Sequence, residues 1–440
     1  MEQAFFELAD YATAQLRGSE TLLASFCGET SDFVRFNHAR VRQAGSVMQA
    51  SVRLTLIDQG RRLQTTLTVA FDPATDHAAV RSAVQTMRSE LSSLPPDPLL
   101  LFATEVGNSR HERPGRLPDA EEALDCVIAG AGDADLVGIF ASGPVYRGFA
   151  NSLGQRNWHR VDSFQLDWSV YLAGDKAVKS TYASDTWNPQ ELLRRIASAR
   201  QQLEFLGAAA RAVEPGQYRA YLAPAAMDEL VSMLSWEGVS ARSQVTHQST
   251  LRQLVGGESA LSERISLREN TARGLAPSFD DSGFARPPQV ELITNGRHAG
   301  ALVSARTAKE YSLNANGAND DESMQSADLD GGTLPMSEAL AALDDGILVA
   351  NLWYLNFSDR SSCRITGMTR FATFWVEGGR IAAPLNVMRF DDSIYRMLGT
   401  ELQALTRERE WIQSRNTYGQ RSVESSRVPG ALLSSLTLTL

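Results

Sequence analysis

The sequence VMQASVRLTLIDQGRRLQTTLTVAF, residues 47–71, alternates apolar and polar side chains on both sides of the turn-like segment Asp58-Gln59-Gly60. Strict alternation indicates β-strands with one buried face, and a Gly between two such runs indicates a turn. The preceding stretch SDFVRFNHARVRQAG, residues 31–45, has the same pattern. We therefore predict antiparallel strands between residues 21 and 68, in a sheet with one solvated face.

Helical patterns surround these strands. Residues 1–17 and 75–93 carry apolar side chains at helical spacing, and further helices are predicted over residues 119–128 and 189–210, the last capped by Asn188. Residues 135–152 and 159–172 alternate again and predict two more strands. We therefore predict an N-terminal α+β domain over residues 1–213, an antiparallel sheet with flanking helices.

The second half has a different pattern. Residues 225–240 favour a helix, and residues 241–330 are rich in Ser, Asn, Asp and Gly, which favours loops and short strands. From Gly346 onward the chain predicts mostly strands, with one helix over residues 393–405 and a last strand over residues 432–440. The prediction for residues 214–440 is a β-rich barrel or sandwich domain, which makes the whole chain α+β.

Composition excludes several classes of function. The chain has 440 residues and a net charge of -10, without a dense run of Lys and Arg, so direct binding to nucleic acid is not expected. The N-terminus does not resemble a signal peptide, and no window of about 18 apolar residues predicts a membrane span. Three widely separated cysteines are typical of reduced thiols. We expect a cytoplasmic protein that does not bind membranes.

Metal-ligand spacing is missing from the sequence. None of the six histidines belongs to an HExxH or HExxxH motif, and there is no CxxC pair. A zinc hydrolase needs two imidazoles on one helix face and a carboxylate that takes a proton from water. We therefore expect no metal and no other cofactor in this chain. Cys363 is followed by two Arg and a Gly, which could activate a thiol, but a half-buried strand cysteine is the more favoured interpretation.

Three other features have a functional and a structural interpretation. His247 lies in the polar stretch SQVTHQST and fits an exposed loop better than a site. Trp353, Tyr354 and Phe357 form an aromatic group that fits a core or an interface better than a ligand cage. The acidic segment NANGANDDE, residues 314–322, lacks the spacing of an EF-hand loop and fits a solvated loop.

Several segments resemble the TldD/PmbA family in the family's own order. Residues 31–68 resemble its N-terminal strand pair, and Asn151-Ser152-Leu153-Gly154 matches its "aNSlG" segment. Residues 363–398 resemble its "tG...r..af.IenGei..P" block, and residues 425–440 resemble its closing strand. The strongest matches in that block are Gly367, Phe374, Glu377, Gly379, Ile381 and Pro384.

The resemblance implies where a zinc site would lie. Catalytic members of the family carry HExxxH on a helix and a later cysteine ligand. The best superposition places Trp236 and Ala241 at the two histidines and Glu237 at the glutamate, on a helix over residues 235–241. An indole and a methyl group cannot bind zinc, so Glu237 is at most a remnant of catalysis. No cysteine follows Cys363, so the late ligand is missing too.

The resemblance therefore implies a TldE/PmbA-like subunit that does not catalyse alone. A TldD-like partner would supply zinc, and the heterodimer would cleave or mature peptides. From position in the chain, the residues expected to line the peptide cavity are Trp236, Glu237, His247, Gly367 and Arg370, the last two in a turn over residues 367–370. The alternative is a homodimeric, non-enzymatic peptide-binding module, to which the family's link with DNA gyrase modulation would also belong. A metal-free hydrolase that uses Cys363 or Glu237 is a third, weaker hypothesis.

Overall fold

Two β-sheets organise the computed structural model, which describes residues 1–174 and 176–439. The helices of the first half are α1 (Glu2–Thr13), α2 (Pro73–Leu91), α3 (Ala120–Ala131) and α4 (Pro189–Leu206). Its strands are β1 (Thr21–Asn37), β2 (Arg40–Asp58), β3 (Arg61–Thr68), β4 (Ser109–Arg113), β5 (Asp135–Asn151), β6 (Arg156–Ala173) and β7 (Lys176–Ser184).

The first sheet has seven strands in the order β3-β2-β1-β5-β6-β4, with β7 also paired to β6. All pairings are antiparallel except that of β4 with β6. The hairpin predicted from residues 47–71 is present as β2 and β3, and the α+β prediction is confirmed. The short β4 and the strand β7 were not predicted from the sequence.

Helices cover one face of this sheet. The helix α1 and the helix α2 pack on apolar residues of β1 and β2, including Leu22, Phe26 and Leu54. The side chain of Asp72 caps α2 by accepting from the backbone N–H of Thr75, as an N-cap residue does. Asn188 caps α4 in the same way, as its sequence predicted.

The second half holds the larger sheet. Its helices are α5 (Pro224–Ser235), α6 (Ala241–Val245), α7 (Arg252–Val255), α8 (Ala305–Tyr311) and α9 (Ala339–Leu343). Its strands are β8 (Gly216–Leu222), β9 (Leu267–Glu269), β10 (Val290–Thr294), β11 (Arg297–His298), β12 (Ser326–Leu329), β13 (Gly346–Asp359), β14 (Arg364–Glu377), β15 (Arg380–Pro384), β16 (Arg389–Ser393), β17 (Leu402–Gln413) and β18 (Ser425–Leu438).

The pairings of this sheet close into a ring. β8 pairs with β13, β13 with β14, β14 with β16, β16 with β18, and β18 again with β8. The β-rich second half is therefore a barrel with further strands attached, rather than a sandwich. The helix α5 packs against β13 and β18, and its Met227, Leu230 and Leu234 belong to the largest apolar core.

Two predicted helices in this half were wrong in extent. The helix predicted over residues 225–240 ends at Ser235. Within residues 393–405, only residues 394–400 are helical, mostly as the π-helical turn Arg396–Thr400, before β17 begins. The residues from Leu402 onward form the strand β17 because their backbone groups bond to β18, a pairing that no local sequence pattern reveals.

Apolar contacts join the two halves. Phe164 and Leu166 of β6 share a buried cluster with Phe374 and Val376 of β14. The boundary at residue 213 stays a prediction, and Leu440, the last residue of the predicted terminal strand, lies outside the described residues. Among the described residues, no helix is both long and apolar enough to cross a membrane.

Candidate functional site

A cleft of about 770 Å³ lies beside the C-terminal end of α5. Asp228, Ser232 and Ser235 line it from the helix, and Trp236 and Glu237 continue it past the helix end. The three helical positions are spaced by four and three residues, so they share one face of α5. Most other residues of α5 are apolar and buried, and the partly exposed Glu229 is the exception.

A second, larger groove of about 1090 Å³ lies over the first sheet, on residues of β1, β2, β5 and β6. Its floor includes Phe33, Val47 and Ile139, together with the carboxylate of Asp167. Arg415 and Asn416 line both spaces, so the groove and the cleft meet at these two residues.

We call residues 414–424, which connect β17 to β18, the strap. Arg415 forms an ion pair with Glu229 of α5 at 2.8 Å. Further along the strap, the carbonyl of Gly419 accepts from Gln49 Nε2 of β2 at 2.6 Å. The strap therefore crosses from the barrel to the first sheet and separates the cleft from the groove.

Asp228 is the most perturbed acid of the cleft. Burial raises the pKa of its carboxyl to about 6, and the hydrogen bond from Ser426 and the charge of Arg415 oppose this shift. A carboxyl with that pKa exchanges protons near neutral pH. Asp228 was not predicted from the sequence, although its helical spacing with Ser232 and Ser235 is a signal that the sequence contains.

The end of α5 corrects the predicted metal helix. Trp236 follows the helix with extended backbone, φ −77° and ψ 90°, and Glu237 has a φ of 65°. A new helix, α6, begins at Ala241 after its N-cap Ser240. Trp236 and Ala241 therefore do not lie on one helix, and the helix predicted over residues 235–241 is wrong.

Contacts from distant parts of the chain stop the helix here. Glu322 accepts from Ser240 Oγ at 2.6 Å and from the backbone N–H of Arg242 at 2.9 Å. Ser235 Oγ accepts from the N–H of Met324 at 2.7 Å. The acidic segment 314–322 was expected to be a solvated loop, but its last residue, Glu322, is buried and forms structural hydrogen bonds.

Glu237 faces a cation. Its carboxylate forms an ion pair with Arg360, and the Arg360 guanidinium lies over the rings of Trp236 and Phe357, 5.5 Å and 5.3 Å from their centroids. The Trp236 and Phe357 rings are 5.7 Å apart. Ion pairing and cation–π contact together hold this part of the cleft wall.

The residues at the helix end do not fit a zinc ion. Trp236 offers an indole N–H that only donates, Ala241 offers no polar atom, and Arg360 neutralises Glu237. Within residues 1–174 and 176–439, no group of three His, Cys, Asp or Glu side chains is placed to hold a metal. The expectation that zinc belongs to a partner stays a prediction.

Three more residues that were predicted to line the peptide cavity lie outside both the cleft and the groove. Arg370 stacks on Trp353, with its Cζ 3.9 Å from the ring centroid. Gly367 is buried in β14, where a Cβ would lie 2.8 Å from the Phe390 ring, so the turn predicted over residues 367–370 is wrong and Gly367 does not line the cleft. His247 is exposed after α6 and lines neither the cleft nor the groove.

Cys363 is not placed to react. Its side chain is fully buried, and burial raises the pKa of the thiol to about 12. A thiol that stays protonated near neutral pH is a poor nucleophile. The hypothesis of a metal-free hydrolase that uses Cys363 as its nucleophile is therefore not supported.

These observations define an α+β protein that has a closed β-barrel with a polar cleft in its second half, and a groove over the sheet of its first half. Residues 215–440 match the PmbA/TldA metallopeptidase C-terminal domain, and the chain belongs to the PmbA/TldD family. The family resemblance seen in the sequence is thus confirmed.

Solved structures share the fold over the whole chain. TldE from Thermococcus kodakarensis has a TM-score of 0.77 at 14% identity, covering 99% of this chain and 100% of its own. A protein from Thermotoga maritima named as a modulator of a DNA gyrase has a TM-score of 0.74 at 15% identity, with 100% of both chains covered. One from Bacteroides thetaiotaomicron with a similar name has a TM-score of 0.71 at 16% identity, covering 99% of this chain and 98% of its own. No curated protein matches the sequence.

Proposed function

We propose that this chain is the TldE/PmbA-like, non-catalytic subunit of a heterodimeric zinc peptidase of the cytoplasm. A TldD-like partner supplies the zinc and the proton acceptor. This chain supplies walls of the peptide cavity through the cleft, the groove and the strap. In this proposal the chain has two domains, which are divided near residue 213 and both contribute to the cavity.

The replaced zinc position carries this proposal. Trp236 and Glu237 line the cleft, but the carboxylate is paired with Arg360 instead of being free to act on water. A cleft that lacks zinc donors at this position and whose Glu237 is already paired fits a role in binding rather than in hydrolysis.

An exposed strand edge beside the groove supports peptide binding. β3 pairs only with residues 51–58 of β2, so the described chain places no strand beside residues 40–49 on that side. Arg42, Gln43, Val47 and Gln49 of this segment line the groove. An extended peptide can add to such an edge through its own backbone hydrogen bonds.

The direct test combines metal analysis with a peptidase assay. We expect the purified chain to contain no stoichiometric zinc and to cleave no unstructured peptide. Addition of an HExxxH-bearing partner that co-purifies with it should bring both zinc and cleavage. One tight zinc per isolated chain, or cleavage by the isolated chain, would contradict the proposal.

The homodimeric alternative gives a different result. In that case the chain binds peptide as a homodimer and ignores any HExxxH-bearing partner. Sedimentation of this chain mixed with the HExxxH-bearing partner distinguishes the heterodimer from the homodimer, because only a heterodimer sediments with both chains in one boundary.

A test variant and a matched control can show whether the cleft binds peptide. Trp236→Ala removes an exposed ring of the cleft, and Val245→Ala removes an exposed apolar side chain that does not line it; the two are 47% and 44% exposed. We expect Trp236→Ala to weaken binding by roughly fivefold, the effect of about 1 kcal/mol of lost contact, and Val245→Ala to leave binding unchanged. Equal binding by both variants would exclude Trp236 from the peptide site.

A further inference from the structure

The β13–β14 hairpin contains two aromatic residues with unusual backbone conformations. Tyr354 and Phe371 both have a φ of 58°, which is rare for bulky side chains and costs free energy. The strand register shifts next to them, between Val349 and Asn351 and between Trp353 and Asn356. Such bulges re-aim side chains, and here Trp353 and Tyr354 are 46% and 78% exposed.

Arg370 is held against these aromatic rings. Its guanidinium carbon lies 3.9 Å from the centroid of Trp353 and 5.3 Å from that of Phe371. Stacking fixes the plane of a guanidinium and leaves its N–H edges available. Within the described chain, the side chain of Arg370 has neither an ion-pair partner nor a hydrogen-bond partner, while its backbone belongs to the β13–β14 pairing.

Contacts connect Arg370 to the groove. Lys179 Nζ lies 6.0 Å from the Phe371 centroid, and Lys179 pairs with Asp167 at 3.1 Å. Asp167 lines the groove. Asp167 thus neutralises Lys179, while no carboxylate of the described residues forms an ion pair with Arg370.

From this geometry we infer that Arg370, stacked on Trp353, is a carboxylate-binding subsite for the bound peptide. This inference rests on the proposed peptide-binding function. A planar guanidinium with free N–H edges binds a carboxylate through two parallel hydrogen bonds. The neighbouring rings exclude water from one side of the pair and strengthen it. The carboxylate belongs either to an Asp or Glu side chain or to the peptide's C-terminus.

A second copy of this chain fits the surface less well. Met368 of β14 pairs with Arg389 of β16 and with Trp353 of β13, so Arg389 lies in the same cross-strand row as Trp353. In a two-fold symmetric dimer formed through this surface, Arg370 and Arg389 of one copy would lie close to the same cations of the other copy. An anionic peptide meets no such repulsion.

Fluorescence anisotropy with four labelled peptides tests the inference. The peptides are short, unstructured and rich in Ser, Gly and Ala; they carry a central Asp or Asn, and a free or amidated C-terminus. The protein is the purified chain and, where one co-purifies, its complex with the partner. We expect the wild type to prefer a carboxylate-bearing peptide by roughly fivefold, a typical gain for a charge-assisted contact at a partly exposed position. Loss of affinity on Asp→Asn assigns the side chain, and loss on amidation assigns the C-terminus.

Variants identify the residue responsible. Arg370→Gln should abolish the preference, and Arg370→Lys should retain only part of it because an ammonium lacks the planar pair of donors. Trp353→Leu should weaken the preference while keeping the charge. Arg380→Gln, which removes an exposed arginine from β15, should change nothing.

The outcomes separate this inference from the proposed function. Peptide binding with no carboxylate preference, or a preference that survives Arg370→Gln, overturns the inference and leaves the proposed function standing. No binding of any peptide overturns both. A change of oligomeric state in Arg370→Gln, with peptide preference unchanged, would show that the surface joins two chains and that the inference is wrong.

Discussion

Arg421 of the strap donates from Nη2 to both the backbone carbonyl and the hydroxyl of Ser163, at 2.9 Å and 2.7 Å. Its Nη1 also donates to the carbonyl of Gly143 at 2.8 Å. Burial lowers the pKa of Arg421 to about 10, and the nearby Glu29 carboxylate opposes this shift. The guanidinium is therefore still charged at neutral pH, and it anchors the strap in the middle of the first sheet.

Loss of this anchor should destabilise the protein. Arg421→Met keeps much of the side-chain volume but leaves Glu29 and two carbonyls without their cation. We expect the free energy of unfolding, measured by urea denaturation, to fall by about 3 kcal/mol, as for other broken buried charge contacts. Arg407→Met, at an exposed arginine on β17, is the control and should change it by less than about 0.5 kcal/mol. A loss below about 1 kcal/mol in Arg421→Met would mean that water replaces these contacts.

Gly143 makes the close approach of β5 to β1 possible. It has a φ of 140°, and a Cβ at this position would lie 2.1 Å from the carbonyl oxygen of Thr30. Gly143→Ala should therefore lower the free energy of unfolding by at least about 2 kcal/mol, through both backbone strain and overlap. Gly45→Ala is the matched strand control, since no atom lies within 4 Å of its added Cβ. Thermal unfolding of both variants checks this, and equal melting temperatures would refute it.

The carboxyl of Asp228 makes stability depend on pH. Its folded pKa of about 6 lies above the ordinary value of 3.8, so folding favours the protonated form. The stability from this group is fully present below the ordinary pKa and is lost as pH rises through about 6. Because one pKa unit corresponds to about 1.4 kcal/mol and the side chain is partly exposed, we expect a loss of about 1 to 2 kcal/mol.

The variant Asp228→Asn isolates this contribution, since Glu269 and Asp280 also have raised pKa values. The variant should match the wild type in stability at a pH of about 4 and exceed it above a pH of about 7. Urea denaturation at both pH values measures the difference. A variant that is less stable than the wild type at the higher pH would show that ionised Asp228 stabilises the fold.

Restoring two histidines should not restore a zinc site. The double variant Trp236→His with Ala241→His recreates HExxxH in the sequence, but residues 236–240 lie between two helices. The two imidazoles would not stand on one helix face, as the motif requires. We expect metal analysis to find no stoichiometric zinc in this variant, even after incubation with excess zinc. Tight binding of one zinc per chain would mean that the segment can become helical.

The candidate site was only partly predictable. The position of Trp236 and Glu237 in the chain led to the cleft, because the family segments occur in a fixed order. Asp228 has a local signal in its helical spacing with two serines of α5, whereas Arg421 has none, since it lies in a loop with no periodicity. Arg370 was expected in the cavity from position alone, but its stacking on Trp353 depends on bulges in two strands.

Local sequence patterns were enough to predict most regular elements of the first half, such as the β2–β3 hairpin and the Asn188 cap of α4, because alternation and capping act between residues close in the chain. The sequence also determined the family, through short segments in a shared order. The end of α5, in contrast, depends on tertiary contacts, because Glu322 accepts a hydrogen bond from Ser240, 82 residues away in the chain. The tertiary structure likewise decided that Arg421 enters the first sheet, 258 residues from Ser163. These contacts depend on how distant segments meet in the folded chain, and a local pattern does not encode that.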